Sequence, residues 1–299
     1  MIPVLNLFRM TDSQVSHLCD GKKSPKPCPT TFPKKPFLKW VGGKRFLLPE
    51  LLQHLPEEFN SYYEPFLGGG ALFFSLAPKL NKVFLSDLNQ ELIKAFQAVK
   101  ENPAKLIAIL KVYESKNCEK FFYQLRAKPF GETDISHAAR FVYLNKTCFG
   151  GLYRENKFGK FNVPFGHYEN PRIADHFTIA RCSKLLSIAD IACQDFTKIT
   201  PKPGDFVYFD PPYHGANSLV FSAYNRNGFG IQEHIRLKQF ITDLTKKDVH
   251  VMLSGLDTDF MRELYKEDEY KIYSLKTTHR ISNAKSANSS RNELIITNY

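Results

Sequence analysis

Short apolar runs recur along the chain with helix-patterned stretches between them, and several of these runs stop at a glycine cluster or a carboxylate. Lys82–Ser86 ends at Asp87, Phe206–Phe209 ends at Asp210, and the aromatic run Ser61–Pro65 leads into Gly68–Gly70. His250–Ser254, Tyr270–Leu275 and Glu293–Thr297 read as further strands. Leucines at helical spacing mark Phe46–Leu55, where Pro49 falls in the tolerated first turn; Ala71–Leu76, Gln90–Lys100 and Gln232–Leu244 also read as helices. Strands alternating with helices predict an α/β fold with a Rossmann-like, doubly wound, mostly parallel sheet. Ligands of such sheets lie beyond the carboxyl ends of the strands, which is where the glycines, Asp87 and Asp210 fall.

Two regions depart from this alternation. Residues 98–184 hold helical stretches and then an aromatic segment rich in Gly and Asn, predicting an inserted second domain. The sheet domain is then 37–97 with 185–299. Residues 1–36 form a separate leader, in which Lys22–Pro36 carries five prolines, five lysines and no acid. It reads either as a flexible basic arm for DNA phosphates or as a leader with no role, and Met10 is an alternative start. Ser282–Arg291 reads as a polar loop before the last strand.

Composition removes several classes. Of the 299 residues, 43% are hydrophobic and 24% charged, an ordinary globular balance. No apolar run approaches the ~20 residues that span a bilayer, and Arg9 interrupts the opening apolar stretch before any cleavage signal, so neither a membrane protein nor a signal peptide is expected. Six cysteines include no C-x-x-C pair and suit a reducing cytoplasm. The net charge of +11 raises the expectation of a polyanionic partner, because neutralising phosphates releases counterions.

The chemistry concentrates in two places. In Glu64-Pro65-Phe66-Leu67-Gly68-Gly69-Gly70, glycines after a strand let a ligand approach the backbone, and Asp87 at the next strand end suits ribose hydroxyls. The third glycine of G-x-G-x-x-G is missing, which disfavours a nicotinamide oxidoreductase. Asp210-Pro211-Pro212-Tyr213 is more specific. Its two prolines donate no N–H, so the carbonyls of Asp210 and Pro211 serve as fixed acceptors beside the Asp210 carboxylate. Tyr213 adds a flat face, and the set suits an amino group on a planar ring. No histidines show metal-ligand spacing, so no metal is expected.

The pair formed by Phe66, Gly68 and Gly70 with Asp210–Tyr213 resembles the signature of S-adenosylmethionine-dependent amino-group methyltransferases. Three more stretches resemble the Dam-type, α-class (D12) DNA adenine-N6 methyltransferases: Phe37-Leu38-Lys39-Trp40-Val41-Gly42-Gly43-Lys44, Asn145–Arg154 (NKTCFGGLYR) and Phe161–Gly166 (FNVPFG). The likeness runs from Phe37 to Tyr299 in the family's order.

That resemblance implies the class I methyltransferase fold, S-adenosylmethionine as cofactor, and methyl transfer to N6 of a flipped adenine, with GATC as the family target. It implies that Asp210, Pro211, Pro212 and Tyr213 are catalytic. It places Trp40 and Lys44 at the methionine end of the cofactor, Phe66, Gly68 and Gly70 along it, and Asp87 on the ribose. Asp195 and Phe196 fall at the adenine, and Asp210 also borders the cofactor. It assigns DNA contacts to Lys39, Asn145, Leu152, Arg154, Pro164 and His167. Gly150 stands where the family commonly has asparagine, which leaves the target sequence open. The expected partner is double-stranded DNA, the expected state a monomer in the cytoplasm or nucleoid of a bacterium, or phage-encoded, with a restriction endonuclease as a possible functional counterpart. An RNA or protein-amide methyltransferase and a DNA-binding regulator with a vestigial cofactor site are the rivals. The segment Asn145–Gly166 argues against the first, and intact Trp40, Lys44, Asp87 and Asp210 against the second.

Overall fold

The computed structural model describes residues 35–128, 133–212, 229–266, 268–277 and 291–299. The leader 1–34, Tyr213 and most of the loop 282–291 lie outside the described residues.

Seven strands form one sheet: β1 (Tyr62–Glu64), β2 (Val83–Asp87), β3 (Ala189–Cys193), β4 (Phe206–Phe209), β5 (His250–Leu256), β6 (Lys271–Thr277) and β7 (Arg291–Thr297). Their order is β3-β2-β1-β4-β5-β7-β6. The first five run parallel, while β7 is antiparallel to both β5 and β6. This is the doubly wound, mostly parallel α/β sheet expected. Order reverses at β1, whose neighbours are β2 and β4, so β1 and β4 flank the switch-point crevice.

Both faces of the sheet are covered, and residue alternation decides which side chain goes where. Tyr62, Phe206, Tyr208, Met252 and Ile295 enter one core; Tyr63, Val207, Phe209, Val251, Leu253, Leu294 and Ile296 enter the other. The first core lies under α1 (Leu48–Gln53), α2 (Ala71–Leu76) and α3 (Gln90–Glu101), whose first turn is capped by Asn89 accepting from the Leu92 N–H.

The insertion continues that first core. Helices α4 (Pro103–Ser115), α5 (Glu119–Ala127) and α6 (Asp134–Thr147) bury Leu106, Leu110, Phe122, Ala138 and Tyr143 in one cluster with Phe73, Phe96 and Leu185. Among the described residues, the helices of segment 98–184 thus extend the first core as a further layer. The expected boundary at 184 falls inside α7 (His176–Leu186), which packs on α3 beside β3 and belongs to the β2-to-β3 crossover. His137 Nε2 lies 3.1 Å from Glu91 Oε1 and joins the insertion to the sheet layer, while Arg140 ties α6 to the end of α5 by donating to the carbonyls of Leu125 and Arg126 at 3.0 Å each. The second core lies under α8 (Ile231–Thr245) and α9 (Asp259–Leu264). Among the described residues no helix is long and apolar enough to cross a membrane.

Candidate active site

Asp210 follows β4 directly, at the crevice the topology creates. The parallel register pairs Phe209 with Leu253, which sets Ser254 level with Asp210. Ser254 Oγ donates to Asp210 Oδ1 at 2.9 Å and lies 2.9 Å from the Tyr208 hydroxyl. Lys44 Nζ sits 2.6 Å from the same Oδ1, with its side chain only 5% exposed. Oδ1 is thus held twice, and among the described residues Oδ2 stays open as an acceptor. Burial pushes the Asp210 carboxyl above its ordinary range, and Lys44 pulls it part of the way back. Pro211 is buried and Pro212 half-buried beside it.

A second carboxylate sits one strand away. Glu64 ends β1, accepts from the Tyr62 hydroxyl at 2.8 Å and from the Phe73 N–H at 3.1 Å, and is 3% exposed. Gly70 is the N-cap of α2 and has no side chain to satisfy the helix's first amides, so Glu64 supplies the acceptor from the strand. Burial raises its pKa to about 8.

The glycine loop is fixed from two sides. Gly68 adopts φ +47°, and its N–H donates to Asp87 Oδ2 at 3.0 Å; the other oxygen of Asp87 accepts from the Asn89 N–H at 2.9 Å. A Cβ on Gly68 would stand 2.9 Å from the Trp40 ring, so only glycine lets the loop and the indole close on each other. Trp40 stacks in turn on Tyr153, with ring centroids 5.9 Å apart. The backbone amides of Gly68, Leu88 and Asn89 all bear on the Asp87 carboxylate, and its remaining acceptor position suits a ribose hydroxyl.

At the end of β3, the Gln194 N–H donates to the Asp87 carbonyl at 3.2 Å, bringing Asp195 and Phe196 beside β2. Phe66 stacks on Phe196 at 5.4 Å. Phe66, Gly68, Gly70, Asp87, Asp195, Phe196 and Asp210 therefore all stand at the carboxyl ends of β1 to β4, with Trp40 against the loop. The carboxylate acceptors and the glycine loop suit a nucleoside-bearing cofactor. Among the described residues no group of three or more His, Cys, Asp or Glu could hold a metal ion.

A family model for the D12 class N6 adenine-specific DNA methyltransferases matches residues 40–281. The chain belongs to that family. It is similar to a type II methyltransferase of Lactococcus lactis subsp. cremoris, at 40% identity over 89% of this chain and 95% of the relative. It is 39% identical to a type II methyltransferase of Methanocaldococcus jannaschii, over 77% of this chain and 88% of the relative. A DNA adenine methylase of Escherichia coli is 31% identical, over 82% of this chain and 88% of the relative.

In this D12-class methyltransferase the residues expected on DNA divide into two kinds. Lys39, Arg154, Pro164 and His167 are exposed, and Leu152 is half-buried. Lys39 Nζ donates to the Lys146 carbonyl at 3.2 Å and lies 3.8 Å above the Tyr168 ring. Arg154 donates Nε to Asn162 Oδ1 at 2.8 Å, and Asn162 N–H returns to the Arg154 carbonyl at 3.0 Å, which anchors a short hairpin closed by the Glu155–Phe161 bridge. Pro164 holds that hairpin's base by accepting the Phe149 N–H at 2.9 Å. Asn145 is different: it is 2% exposed, accepts the Lys39 N–H at 2.9 Å and donates to the Lys39 carbonyl at 2.6 Å. Its amide is committed to the backbone of Lys39, so it positions that lysine and does not reach a base.

Gly150 has φ +66°, the left-handed region that glycine and asparagine both enter readily. A Cβ there would meet only Leu152, at 3.5 Å, an ordinary contact. The departure from the family's asparagine thus preserves the turn and removes only the side chain. Residues that sequence reasoning missed are Ser254, Tyr208 and Arg236, together with the pairing of Lys44 to Asp210 instead of to a cofactor alone. A serine closing the apolar run His250–Ser254 was the available signal for the first.

Proposed function

We propose that this chain transfers the methyl group of S-adenosylmethionine to N6 of adenine in duplex DNA, within GATC. The observation that carries the proposal is the Asp210 carboxylate, with one oxygen fixed by Lys44 and Ser254 and the other open among the described residues, beside two prolines. The relatives named DNA adenine methylase and type II methyltransferase support the same reading, the latter also favouring pairing with a restriction endonuclease.

The target base is stacked in a duplex, and extruding it costs a few kcal/mol. Tyr213 supplies the stacking face that holds it. Asp210 Oδ2 accepts one N6–H and the Pro211 carbonyl the other, which draws N6 out of conjugation with the ring and exposes its lone pair. The Asp210 charge, kept in a poorly solvated crevice, stabilises the positive charge that develops on N6 as it gains the methyl group, and N6 then gives up one proton to solvent to leave neutral N6-methyladenine. S-adenosylmethionine, when bound, supplies an electrophilic methyl on a sulfonium. Asp87 holds its ribose, Phe66 and Phe196 its adenine face, and Trp40 with the glycine loop its amino-acid end. Arg154 reads a guanine from the hairpin, with Lys39, Leu152, Pro164 and His167 around it, and the enzyme acts as a monomer.

Nucleoside analysis of synthetic duplexes incubated with the chain and S-adenosylmethionine tests this. The reading requires N6-methyladenine in GATC duplexes; methylated cytosine, or transfer to RNA in preference to DNA, would refute it.

A further inference from the structure

Arg236 stands outside every motif that marks the site, yet it contacts both Asp195 and Phe196. It projects from α8 and grips Asp195 at two points, Nη1 to Oδ1 and Nη2 to Oδ2, both at 2.8 Å. Its guanidinium lies 4.3 Å from the centroid of the Phe196 ring. Glu233, one turn earlier on α8, accepts from Arg236 Nε at 3.1 Å and so holds the fork from behind. Asp195 Oδ1 also accepts from the Thr197 N–H at 3.0 Å and from the Thr197 hydroxyl at 2.6 Å.

A carboxylate offers about four lone-pair positions, two on each oxygen. Oδ1 already accepts from three donors, two on Thr197 and one on Arg236, so it has no room for another. Oδ2 accepts only from Arg236 among the described residues, so one position stays open. The Arg236 fork holds the Asp195 carboxyl well below the usual carboxylate range, so Asp195 accepts and does not donate at any working pH. A bidentate fork also removes rotation about the carboxylate axis, which fixes where the open position points.

We propose that Arg236 is a positioning residue that sets the base selectivity of the cofactor pocket, holding Asp195 as a one-position acceptor that takes the exocyclic amino group of an adenine and rejects a 6-oxo purine. The inference rests on the reading of Asp195 and Phe196 as the cofactor's adenine site. A bare structural tie between α8 and the β3 end would weaken all nucleoside ligands together; a selectivity device changes their ratio.

Calorimetric titration with S-adenosylhomocysteine and with its deaminated analogue S-inosylhomocysteine separates the two. The wild-type chain binds the adenosyl compound about tenfold more tightly or better, the loss expected when a charged acceptor faces a carbonyl. Arg236→Leu loses about tenfold for the adenosyl compound and narrows the ratio. Arg236→Lys keeps the charge without the fork and falls between; it carries the test alone if the leucine variant does not fold. Equal weakening for both ligands, or an unchanged adenosyl affinity, overturns the role of Arg236. Failure of the wild-type chain to bind either ligand overturns the cofactor reading itself and this inference with it.

Discussion

Lys44 Nζ and Asp210 Oδ1 stand 2.6 Å apart, joining the segment that precedes β1 to the residue that follows β4. The contact places a nearly buried ammonium on the carboxylate proposed to act at N6. It fixes one oxygen, lowers the cost of keeping the group ionised in a crevice, and leaves the second oxygen for the substrate.

Removing the cation therefore shifts a pH profile. Burial raises the Asp210 pKa and Lys44 lowers it, so Lys44→Met raises it further. If the ionised form is the active one, rate is lost on the acid side and regained as pH rises, and the acid limb moves to higher pH. Single-turnover methyl transfer as a function of pH checks this; an unmoved limb would detach Lys44 from the carboxylate's ionisation.

Asp87→Ala is expected to weaken cofactor binding and leave DNA affinity nearly unchanged. The carboxylate also accepts from the Gly68 and Asn89 amides, so some loss of stability accompanies it. Asp87→Asn keeps an acceptor and should lose less. Calorimetry with S-adenosylhomocysteine reads the effect, and equal affinity in all three proteins would remove Asp87 from the site.

Much of this was legible in the residues and part was not, for reasons that differ. Phe206–Phe209 and Ala71–Leu76 appear with the expected bounds because each is closed by a strong local signal, Asp210-Pro211 in one case and Gly70 in the other. Strand β3 was missed: it lies at the sheet edge, and Ala189–Cys193 is only partly buried and lacks an apolar run. The Lys44–Asp210 and Arg236–Asp195 pairs depend on which strands become neighbours, information that no local window holds. Asn145 misled for a related reason. An asparagine suits a base edge, but the same amide suits a passing backbone, and only the fold shows that Lys39 passes there.

Arg154→Ala and Lys157→Ala are expected to separate specificity from general affinity. If Arg154 reads a guanine through two hydrogen bonds, its loss costs ~1–3 kcal/mol at that base pair and relaxes selection there. Lys157, exposed on the same hairpin, is expected to meet phosphate, so its loss weakens all sequences alike and lowers the salt slope by ~1. Rates on GATC and its single-base variants check both; unchanged discrimination in Arg154→Ala would end the base-reading role.

Glu64 ties stability to pH. Its folded pKa of about 8 lies above the ordinary 4.5, so the folded state holds the proton more strongly than the unfolded chain. This contribution is complete below pH 4.5 and is lost as pH rises to about 8. Glu64→Gln, which still accepts from Phe73 and Tyr62 through its carbonyl, is expected to flatten the fall in melting temperature across that window. An identical pH dependence in variant and wild type would show that Glu64 is ionised in the fold.

In the proposed reaction Asp210 acts on the amino group of the target adenine and not on DNA binding or folding. Its most direct test is single-turnover methyl transfer to a GATC duplex by Asp210→Ala and wild type, with duplex affinity and thermal unfolding measured on the same preparations. Transfer by the variant is expected to fall to background while affinity stays close to wild type and the fold persists. Residual transfer near the wild-type rate, or a loss of affinity as large as the loss of rate, would contradict it.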